Sequence, residues 1–185
     1  MRGHQSTFPN AYTQLTTKEL LRAFDLGATH LPQVLKELTE QDLKARPRTG
    51  KWSIQEIVLH VADSEIMGAG RIRQAYTQPG STFATYDQDI WADIFDYRNQ
   101  DGSAIQNALK LFEYLRRTSS AIFRRARRGD WQKNGIHAEY GSLTLRQLLE
   151  LYADHSERHI ERILDLRSRL GKAIEFPILL QQRLY

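Results

Sequence analysis

Residues 152–160 read Tyr152-Ala153-Asp154-His155-Ser156-Glu157-Arg158-His159-Ile160, and this stretch carries two histidines four positions apart. On an α-helix that spacing places both imidazoles on one face, one turn apart. Leu148, Tyr152 and Ile163 fall on the same face, so we expect it to point into a hydrophobic core. A histidine in a core needs a partner for its ring nitrogens, and a metal ion is one such partner. Two hydrogen-bonded core histidines are the alternative, because the pair alone is a weak motif.

The composition is that of a soluble globular protein: 41% of the 185 residues are hydrophobic and 26% are charged. We expect one domain over residues 1–185, which is long enough to bury a sizeable core. No apolar run reaches the roughly 18 residues that span a bilayer, and the N-terminus lacks the apolar segment of a secretion signal, so a cytoplasmic protein without membrane association is expected. Cysteine is absent, which excludes a disulfide, a thiolate metal site and a cysteine nucleophile in this chain.

The formal net charge is +4, and one basic run contributes to it. The run comprises Arg124, Arg125, Arg127 and Arg128, with Arg116 and Arg117 just upstream. Basic side chains near a helix end usually complement the negative end of the helix dipole in solvent. No aromatic platform or DNA-reading motif accompanies the run, so nucleic-acid binding is not expected.

Apolar periodicity predicts four long amphipathic helices, at about residues 17–39, 53–76, 103–128 and 144–170. Capping boxes mark the first two starts, where Thr16 faces Glu19 and Ser53 faces Glu56. We expect a kink near His30–Pro32 within the first helix, and we find no convincing strand. Helices of matched length that each carry an apolar face predict an all-α fold, a four-helix bundle.

Three segments lie outside these helices. Residues 1–15 are polar and aperiodic, and we expect a loose N-terminal arm. Residues 77–101 form a long connection that is rich in aromatic side chains and could contain a short helix at residues 89–98. The apolar C-terminal tail around residues 176–180 could fold back on the bundle or pack on another subunit.

A third histidine, His60, lies on the apolar face of the second predicted helix, together with Ile57 and Ser64. With His155 and His159 it makes three histidines on two apolar helix faces. Three histidines are a recognised catalytic zinc arrangement, which leaves a fourth position for water or substrate. Imidazole also suits nickel, iron, copper and cobalt. Three neutral ligands leave the charge of the ion uncompensated, so a bound water would be acidified or a bound heteroatom polarised.

The histidine pair does not have the pattern of a zinc protease. Those enzymes use His-Glu-x-x-His, with the general base directly after the first ligand. Here Ser156 occupies that position, and Glu157 follows one residue later, where the helix has turned it away from the metal face. Two Glu-x-x-His motifs, which a di-iron bundle needs, are also absent, and no Ser-His-Asp arrangement can be assembled.

Several stretches together resemble the signatures of the DinB/YfiT-like superfamily. The second-helix signature is similar to Lys51-Trp52-Ser53-Ile54-Gln55-Glu56-Ile57 followed by His60-Val61-Ala62-Asp63-Ser64-Glu65. The fourth-helix signature is similar to His137-Ala138-Glu139-Tyr140-Gly141 followed by the stretch at 152–160. Tyr86-Asp87-Gln88-Asp89-Ile90-Trp91 resembles the segment between the helices. The resemblance covers most of residues 17–170.

The resemblance implies a DinB/YfiT-like four-helix bundle that holds a divalent metal, zinc or nickel, through His60, His155 and His159. Family members are commonly dimers, which implies a homodimer. Some join a low-molecular-weight thiol to an electrophile, so the first expectation is a metal-dependent thiol transferase with a thiol co-substrate and a small electrophile as substrate. A metal-dependent hydrolase of a small amide or ester and a non-enzymatic metal-binding stress-response module are the alternatives.

Aromatic residues near the histidines are expected to line a substrate pocket, namely Trp52, Tyr86 and Trp91. Trp52 directly precedes the second helix and could equally pack against its first turn as a hydrophobic staple. The catalytic residues stay unassigned at this point. Four acidic residues are candidates for a general base, and none is singled out: Asp63, Glu65, Asp87 and Asp89.

Overall fold

The computed structural model describes Tyr12, residues 14–46 and residues 51–180. These residues form six helices, in the order α1 (Thr17–Gln33), α2 (Glu40–Lys44), α3 (Ile54–Thr77), α4 (Gln88–Ile94), α5 (Gly102–Arg125) and α6 (Leu145–Arg169). Between α5 and α6 lie a turn of 3₁₀-helix at Asp130–Gln132 and two short strands, β1 (Asn134–His137) and β2 (Gly141–Thr144). Across the described part of the chain, no helix has both the length and the apolar character needed to cross a membrane.

The four long helices form a bundle, which confirms the predicted all-α fold class. α3 packs against α5 and α6, and α1 packs against the same two helices. α1 therefore lies diagonally across from α3, and α5 lies diagonally across from α6. The connection through α2 crosses one diagonal, and the connection through the two strands crosses the other. This arrangement makes α3 and α6, the two helices that carry the three histidines, direct neighbours.

Reciprocal side-chain caps open three of the long helices. In each pair, the side chain of the first residue accepts a hydrogen bond from the backbone N–H of the second residue. The side chain of the second residue accepts one from the backbone N–H of the first. The pairs are Thr16 with Glu19, Ser53 with Glu56, and Thr144 with Gln147. The two capping boxes predicted for the first and second helices are thus confirmed. α5 begins instead with Asp101, whose carboxylate accepts from the N–H groups of Ser103 and Ala104.

The end of α1 differs from the prediction. The helix stops at Gln33 and the short α2 follows, so a single kinked helix over residues 17–39 is wrong. The backbone leaves the helical path at Glu37, which has a φ of 65°. Arg167 of α6 donates hydrogen bonds to the carbonyls of Val34 at 3.0 Å and Lys36 at 2.8 Å. A side chain 131 residues or more away in sequence therefore fixes this helix end, which no local pattern could indicate.

The expectation of no strand is wrong for residues 134–144. β1 and β2 pair in an antiparallel hairpin, in which Asn134 lies opposite Thr144 and His137 lies opposite Gly141. The segment after α3 joins the hairpin, since the Phe83 N–H donates to the Ile136 carbonyl at 2.9 Å. Strands of four residues are too short to give a convincing period-two pattern. The hairpin carries His137 into the neighbourhood of α3 and α6.

The predicted loose arm at residues 1–15 is only partly described. Residues 1–11 and 13 lie outside the described residues. Tyr12 is buried, and its hydroxyl donates a hydrogen bond to the Asp154 carboxylate on α6. Arg146 of α6 also holds this segment, through the Leu15 carbonyl at 2.6 Å. The described part of the arm therefore packs against the bundle.

The C-terminal tail folds back on the bundle, which was one of its two predicted arrangements. The N–H groups of Leu179 and Leu180 donate to the Glu157 carboxylate of α6 at 2.8 and 2.6 Å. Leu180 itself is buried in the core. A backbone cradle of this kind satisfies a buried carboxylate, which would otherwise be costly. Residues 181–185 lie outside the described residues.

α3 and α6 approach each other closely where Gly68 faces the ring of Tyr152. A Cβ atom at Gly68 would lie 2.5 Å from Cε1 of Tyr152, far inside contact distance. The ring is buried, so an added methyl group would displace it from its packed position. The helix spacing near the histidines therefore depends on a glycine at this position.

We expect Gly68→Ala to lower the free energy of unfolding by about 1–3 kcal/mol, because the added methyl group overpacks the helix contact. Gly70→Ala is the matched control, since it lies in the same helix, is exposed and has nothing within 4 Å of its Cβ position. Alanine there should raise the free energy of unfolding by roughly 0.5–1 kcal/mol through helix propensity. Urea denaturation of both variants measures this, and equal effects of the two substitutions would contradict the close-contact interpretation.

Candidate metal centre

The three predicted histidines meet between α3 and α6. His60 comes from α3, while His155 and His159 come from successive turns of α6. One ring nitrogen of each lies within 4.8 Å of the other two. The Nε2 atoms of His60 and His155 are 3.2 Å apart. Within the described chain this is the only group of three or more His, Cys, Asp or Glu side chains so arranged.

The spacing of the His60 and His155 nitrogens fits two ligands of a tetrahedral metal site. Zinc–nitrogen bonds of about 2.0–2.1 Å at tetrahedral angles put neighbouring ligand atoms roughly 3.3 Å apart, close to the 3.2 Å between His60 and His155. A hydrogen bond between the rings of His60 and His155 is the alternative, but it would not explain why the His159 ring lies beside them. His159 has a buried Nδ1 without a hydrogen-bond partner among the described residues. A metal ion accounts for the convergence of all three rings, whereas a single hydrogen bond accounts for two.

The protonation states of the three rings also suit a metal. Burial lowers the pKa of His60 to about 4, and the nearby charges of Arg162 and Arg158 act in the same direction. Burial likewise holds the pKa values of His155 and His159 well below 6.5, with neighbouring histidines adding to the effect. All three are therefore neutral at pH 7, and the neutral imidazole is the form that binds a metal.

A cavity of about 810 Å³ opens beside His155 and His159. Residues from α3, α6, the hairpin, the segment before α4 and the first turn of α4 form its walls. They are Ser64, Arg71, Tyr86, Asp87, Gln88, Asp89, His137, Glu139, Tyr140, Leu151, Tyr152, His155, Arg158, His159 and Arg162. A volume of this size holds a small organic molecule with room to spare.

The three aromatic residues predicted to line a pocket take different places. Tyr86 lies in the cavity wall. Trp91 packs against Tyr86, with ring centroids 4.8 Å apart, and so supports the wall from behind. Trp52 contacts His60 instead, at 4.8 Å between centroids, and covers the side of the histidine cluster.

Two of the four candidate bases are engaged away from the cavity. Glu65 is fully buried and forms an ion pair with Arg116 at 2.8 Å. Asp63 accepts a hydrogen bond from the Tyr97 hydroxyl and lines a separate apolar groove. Asp87 lies in the cavity wall, but its carboxylate accepts from the N–H groups of Asp89 and Ile90 as the cap of α4. Asp89 lies in the wall and is exposed to solvent.

The acid that follows Ser156 also points away from the histidines. Glu157 accepts hydrogen bonds from the tail backbone at Leu179 and Leu180, so it is not in the cavity wall. This geometry agrees with the expectation that the helix turns Glu157 away from the metal face. Glu157 therefore does not take the place of the glutamate that a His-Glu-x-x-His protease uses.

The sequence analysis missed several polar residues of the cavity. Arg158 and Arg162 follow His155 at helical spacings of three and seven, so they share its face of α6 and could have been found by periodicity. Arg71 lies eleven residues after His60, about three turns along α3, where the same argument applies. His137 arrives on the hairpin, and no spacing rule connects it to the helices.

Comparisons with known proteins agree with the fold. The model of the DinB superfamily matches residues 23–163. A relative from Bacillus licheniformis, named provisionally as a metal-dependent hydrolase, is 33% identical over 136 residues, which cover 73% of this chain and 76% of that protein.

Solved structures show the same fold. YfiT from Bacillus subtilis, described as having an unusual four-helix bundle topology, aligns with a TM-score of 0.77 at 24% identity and covers 85% of this chain and 90% of YfiT. A mycothiol-dependent maleylpyruvate isomerase aligns with a TM-score of 0.66 at 14% identity, over 84% of this chain and 63% of the isomerase. At these identities both structures support the architecture alone.

We expect His155→Ala to remove most of the bound metal and to leave the helical content unchanged, because the residue is only partly buried and its loss leaves two ligands. Elemental analysis after dialysis, together with far-ultraviolet circular dichroism, measures both. His137→Ala is the matched control, since His137 lies in the same cavity but outside the cluster of three. An unchanged metal content in His155→Ala would refute the ligand assignment.

The metal-free protein should lose stability as the pH falls from about 6.5 towards 4. The unfolded chain binds protons on its histidines near pH 6.5, whereas folded His60 does so only near 4, so acid favours the unfolded state throughout this window. Each histidine whose pKa is lower in the folded state reduces the free energy of unfolding by roughly 1 kcal/mol for every unit by which the pH falls within this window. Urea denaturation at several pH values measures the slope. His60→Gln should flatten it, and an identical slope would contradict a depressed pKa at His60.

Proposed function

The chain belongs to the DinB superfamily, and we propose that it is a metal-dependent transferase that joins a low-molecular-weight thiol to a small electrophile. One observation carries the proposal. Three neutral histidines converge beside a cavity of about 810 Å³. Three acidic residues close to them in sequence form contacts away from that cavity, namely Asp63, Glu65 and Glu157. Such a site can activate a nucleophile that needs no protein base of its own.

His60, His155 and His159 would hold the ion, and zinc or nickel suits a set of three imidazoles. A divalent ion with an open coordination position acts as a Lewis acid that favours the deprotonated, nucleophilic form of a thiol. The chain itself keeps the three rings neutral and oriented. Trp52 covers His60 and restricts solvent on that side, while Tyr86 and Trp91 support the wall beside the open cavity.

The placement of the acids favours thiol transfer over hydrolysis. A hydrolase needs a positioned group to take a proton from water or to pass one to the leaving group. Glu65 is paired with Arg116, Asp63 is paired with Tyr97, and Glu157 is held by the tail backbone. Thiol transfer makes a smaller demand, because a free thiol has a pKa of only about 8.5. The sulfur of its thiolate forms the new bond to carbon while the leaving group of the electrophile departs with the electron pair of the bond that breaks.

Hydrolysis of a small amide or ester remains the second candidate. The relative from Bacillus licheniformis carries that class of name. Asp89 and Glu139 lie in the cavity wall and are exposed, so either of them could act as the general base of a hydrolase. A non-enzymatic metal-binding module is less favoured, since Arg124 of the basic run already pairs with Asp25. The homodimer stays a prediction.

The metal-loaded protein should conjugate a small thiol to a model electrophile such as 1-chloro-2,4-dinitrobenzene, with saturation in both reactants. A panel of cysteine-containing thiols, followed by absorbance of the thioether, measures this. His155→Ala should lower kcat/KM at least a hundredfold, since the nucleophile is no longer activated. Without added thiol, the metal-loaded wild-type protein should not hydrolyse p-nitrophenyl acetate or a matching anilide. Thiol-independent hydrolysis with no conjugation would reject the proposal in favour of the second candidate.

A further inference from the structure

Arg71 is a buried cation with no counterion among the described residues. It is only 8% exposed, and its Nη1 and Nη2 donate to two uncharged oxygens, the Tyr152 hydroxyl at 3.0 Å and the Ala84 carbonyl at 2.9 Å. Its Nε is buried and has no hydrogen-bond partner. A buried charge of this kind is unfavourable unless something pairs with it. Arg71 lies in the wall of the cavity, so a molecule in the cavity can supply the missing charge.

The other buried arginines show what a satisfied guanidinium looks like in this protein. Arg116 pairs with Glu65 at 2.8 Å and donates to two backbone carbonyls as well. Arg167 donates its Nε and Nη1 to three backbone carbonyls near helix ends, where the dipole favours a cation. Arg71 has neither a carboxylate nor a full set of carbonyls, and of the three it is the one in the wall of the cavity beside His155 and His159.

Tyr152 contributes a second donor next to Arg71. Its hydroxyl oxygen accepts from Arg71, so the hydroxyl proton is free to point elsewhere. Burial raises the pKa of Tyr152 to about 12, so the hydroxyl keeps that proton at neutral pH. No described residue accepts it, although the side chain lies in the cavity wall. The hydroxyl is therefore available as a hydrogen-bond donor to a ligand.

His137 contributes a third donor from the hairpin. Its Nδ1 accepts from the backbone N–H groups of Glu139 at 3.2 Å and Tyr140 at 3.4 Å. Because Nδ1 is an acceptor, the proton of the neutral ring is on Nε2. Burial and the charge of Arg71 lower the pKa of His137 to about 4, which keeps the ring neutral. Among the described residues no acceptor faces Nε2, so this N–H can also serve a ligand.

We propose that Arg71, Tyr152 and His137 form a binding subsite for a carboxylate group of the thiol or of the electrophile, in the same cavity as His155 and His159. The three residues supply one positive charge and two neutral donors, and the subsite contains no acidic side chain. A carboxylate carries one negative charge and accepts several hydrogen bonds through its two oxygens, which matches this set. The identification of the carboxylate as part of a reactant rests on the proposed function.

The acidic residues of the cavity do not cancel this charge. Asp87 uses its carboxylate to cap α4, and Asp89 and Glu139 are exposed, where solvent and salt screen their charges. Arg71 is buried, where screening is weak and its charge acts at full strength on a neighbouring ligand. Arg158 and Arg162 lie in the same wall and add to the positive potential.

Binding can be tested without catalysis. Benzoate and benzamide differ only in the charge of one group, and each is titrated into the metal-loaded protein by calorimetry at fixed ionic strength. Wild-type protein should bind benzoate about tenfold to a hundredfold more tightly than benzamide. Arg71→Met should abolish this preference. Arg73→Met is the matched control, because Arg73 lies two residues further on the same helix and is exposed, and it should leave the preference unchanged.

Two further variants test the subsite independently, in case Arg71→Met fails to fold. Tyr152→Phe removes only the hydroxyl and keeps the ring against Gly68, and it should weaken benzoate binding several-fold while benzamide binding is unaffected. Arg71→Lys keeps the charge and should retain part of the preference. Equal binding of benzoate and benzamide by wild-type protein, an intact preference in Tyr152→Phe, or an equal loss in Arg73→Met would each overturn the subsite.

The source of the carboxylate is determined with matched reactants. N-acetylcysteine is compared with its amide, and 4-(chloromethyl)benzoate with its amide, in the conjugation assay. If the wild-type protein prefers the acid over the amide and Arg71→Met does not, the subsite binds the reactant that was varied. That reactant is the thiol in the N-acetylcysteine pair and the electrophile in the 4-(chloromethyl)benzoate pair. If benzoate binds through Arg71 but no thiol is conjugated, the proposed function fails and the subsite stands. If conjugation occurs without any carboxylate preference in either pair, the subsite fails and the proposed function stands.

Discussion

Arg116 of α5 is fully buried and donates hydrogen bonds to each of the other three long helices. Its Nε donates to the Glu65 carboxylate on α3 at 2.8 Å, its Nη1 to the Phe24 carbonyl on α1 at 2.8 Å, and its Nη2 to the Tyr152 carbonyl on α6 at 2.6 Å. A buried charge is tolerated only when its partners are in place, so this set favours the one arrangement that brings four helices together. Glu65 follows His60 by five residues, so these contacts also position the helices that carry the histidines.

Tyr152 connects this core to the cavity. Its carbonyl accepts from Arg116, its hydroxyl accepts from Arg71, and its ring packs on Gly68. His155 follows it by one helical turn. Tyr152 therefore contacts α3 through its hydroxyl and its ring, and α5 through its backbone carbonyl. A change at Gly68 would consequently disturb both the proposed metal ligands and the hydroxyl that faces the cavity.

The histidine set and the helix starts could be predicted from sequence because each depends on local periodicity or on a cap within three residues. The end of α1, the hairpin and the role of Arg116 could not. Arg116 belongs to a basic run by sequence, yet it is 1% exposed, because burial depends on which helix faces are brought together. The end of α1 is set by Arg167, and β1 is held in part by Phe83, so both depend on contacts between distant parts of the chain.

Electrostatics links the histidine cluster to the cavity. Arg158 and Arg162 contribute to the low pKa of His60, and the same positive potential opposes a divalent cation at the three histidines. Among the residues that the structure describes, no carboxylate belongs to the cluster to offset this potential. An anion held at Arg71, or a thiolate in the cavity, would offset the charge of the divalent cation and the charges of the arginines around it. The divalent ion and an anionic ligand should therefore strengthen each other's binding by the same factor, because the coupling between two sites is reciprocal.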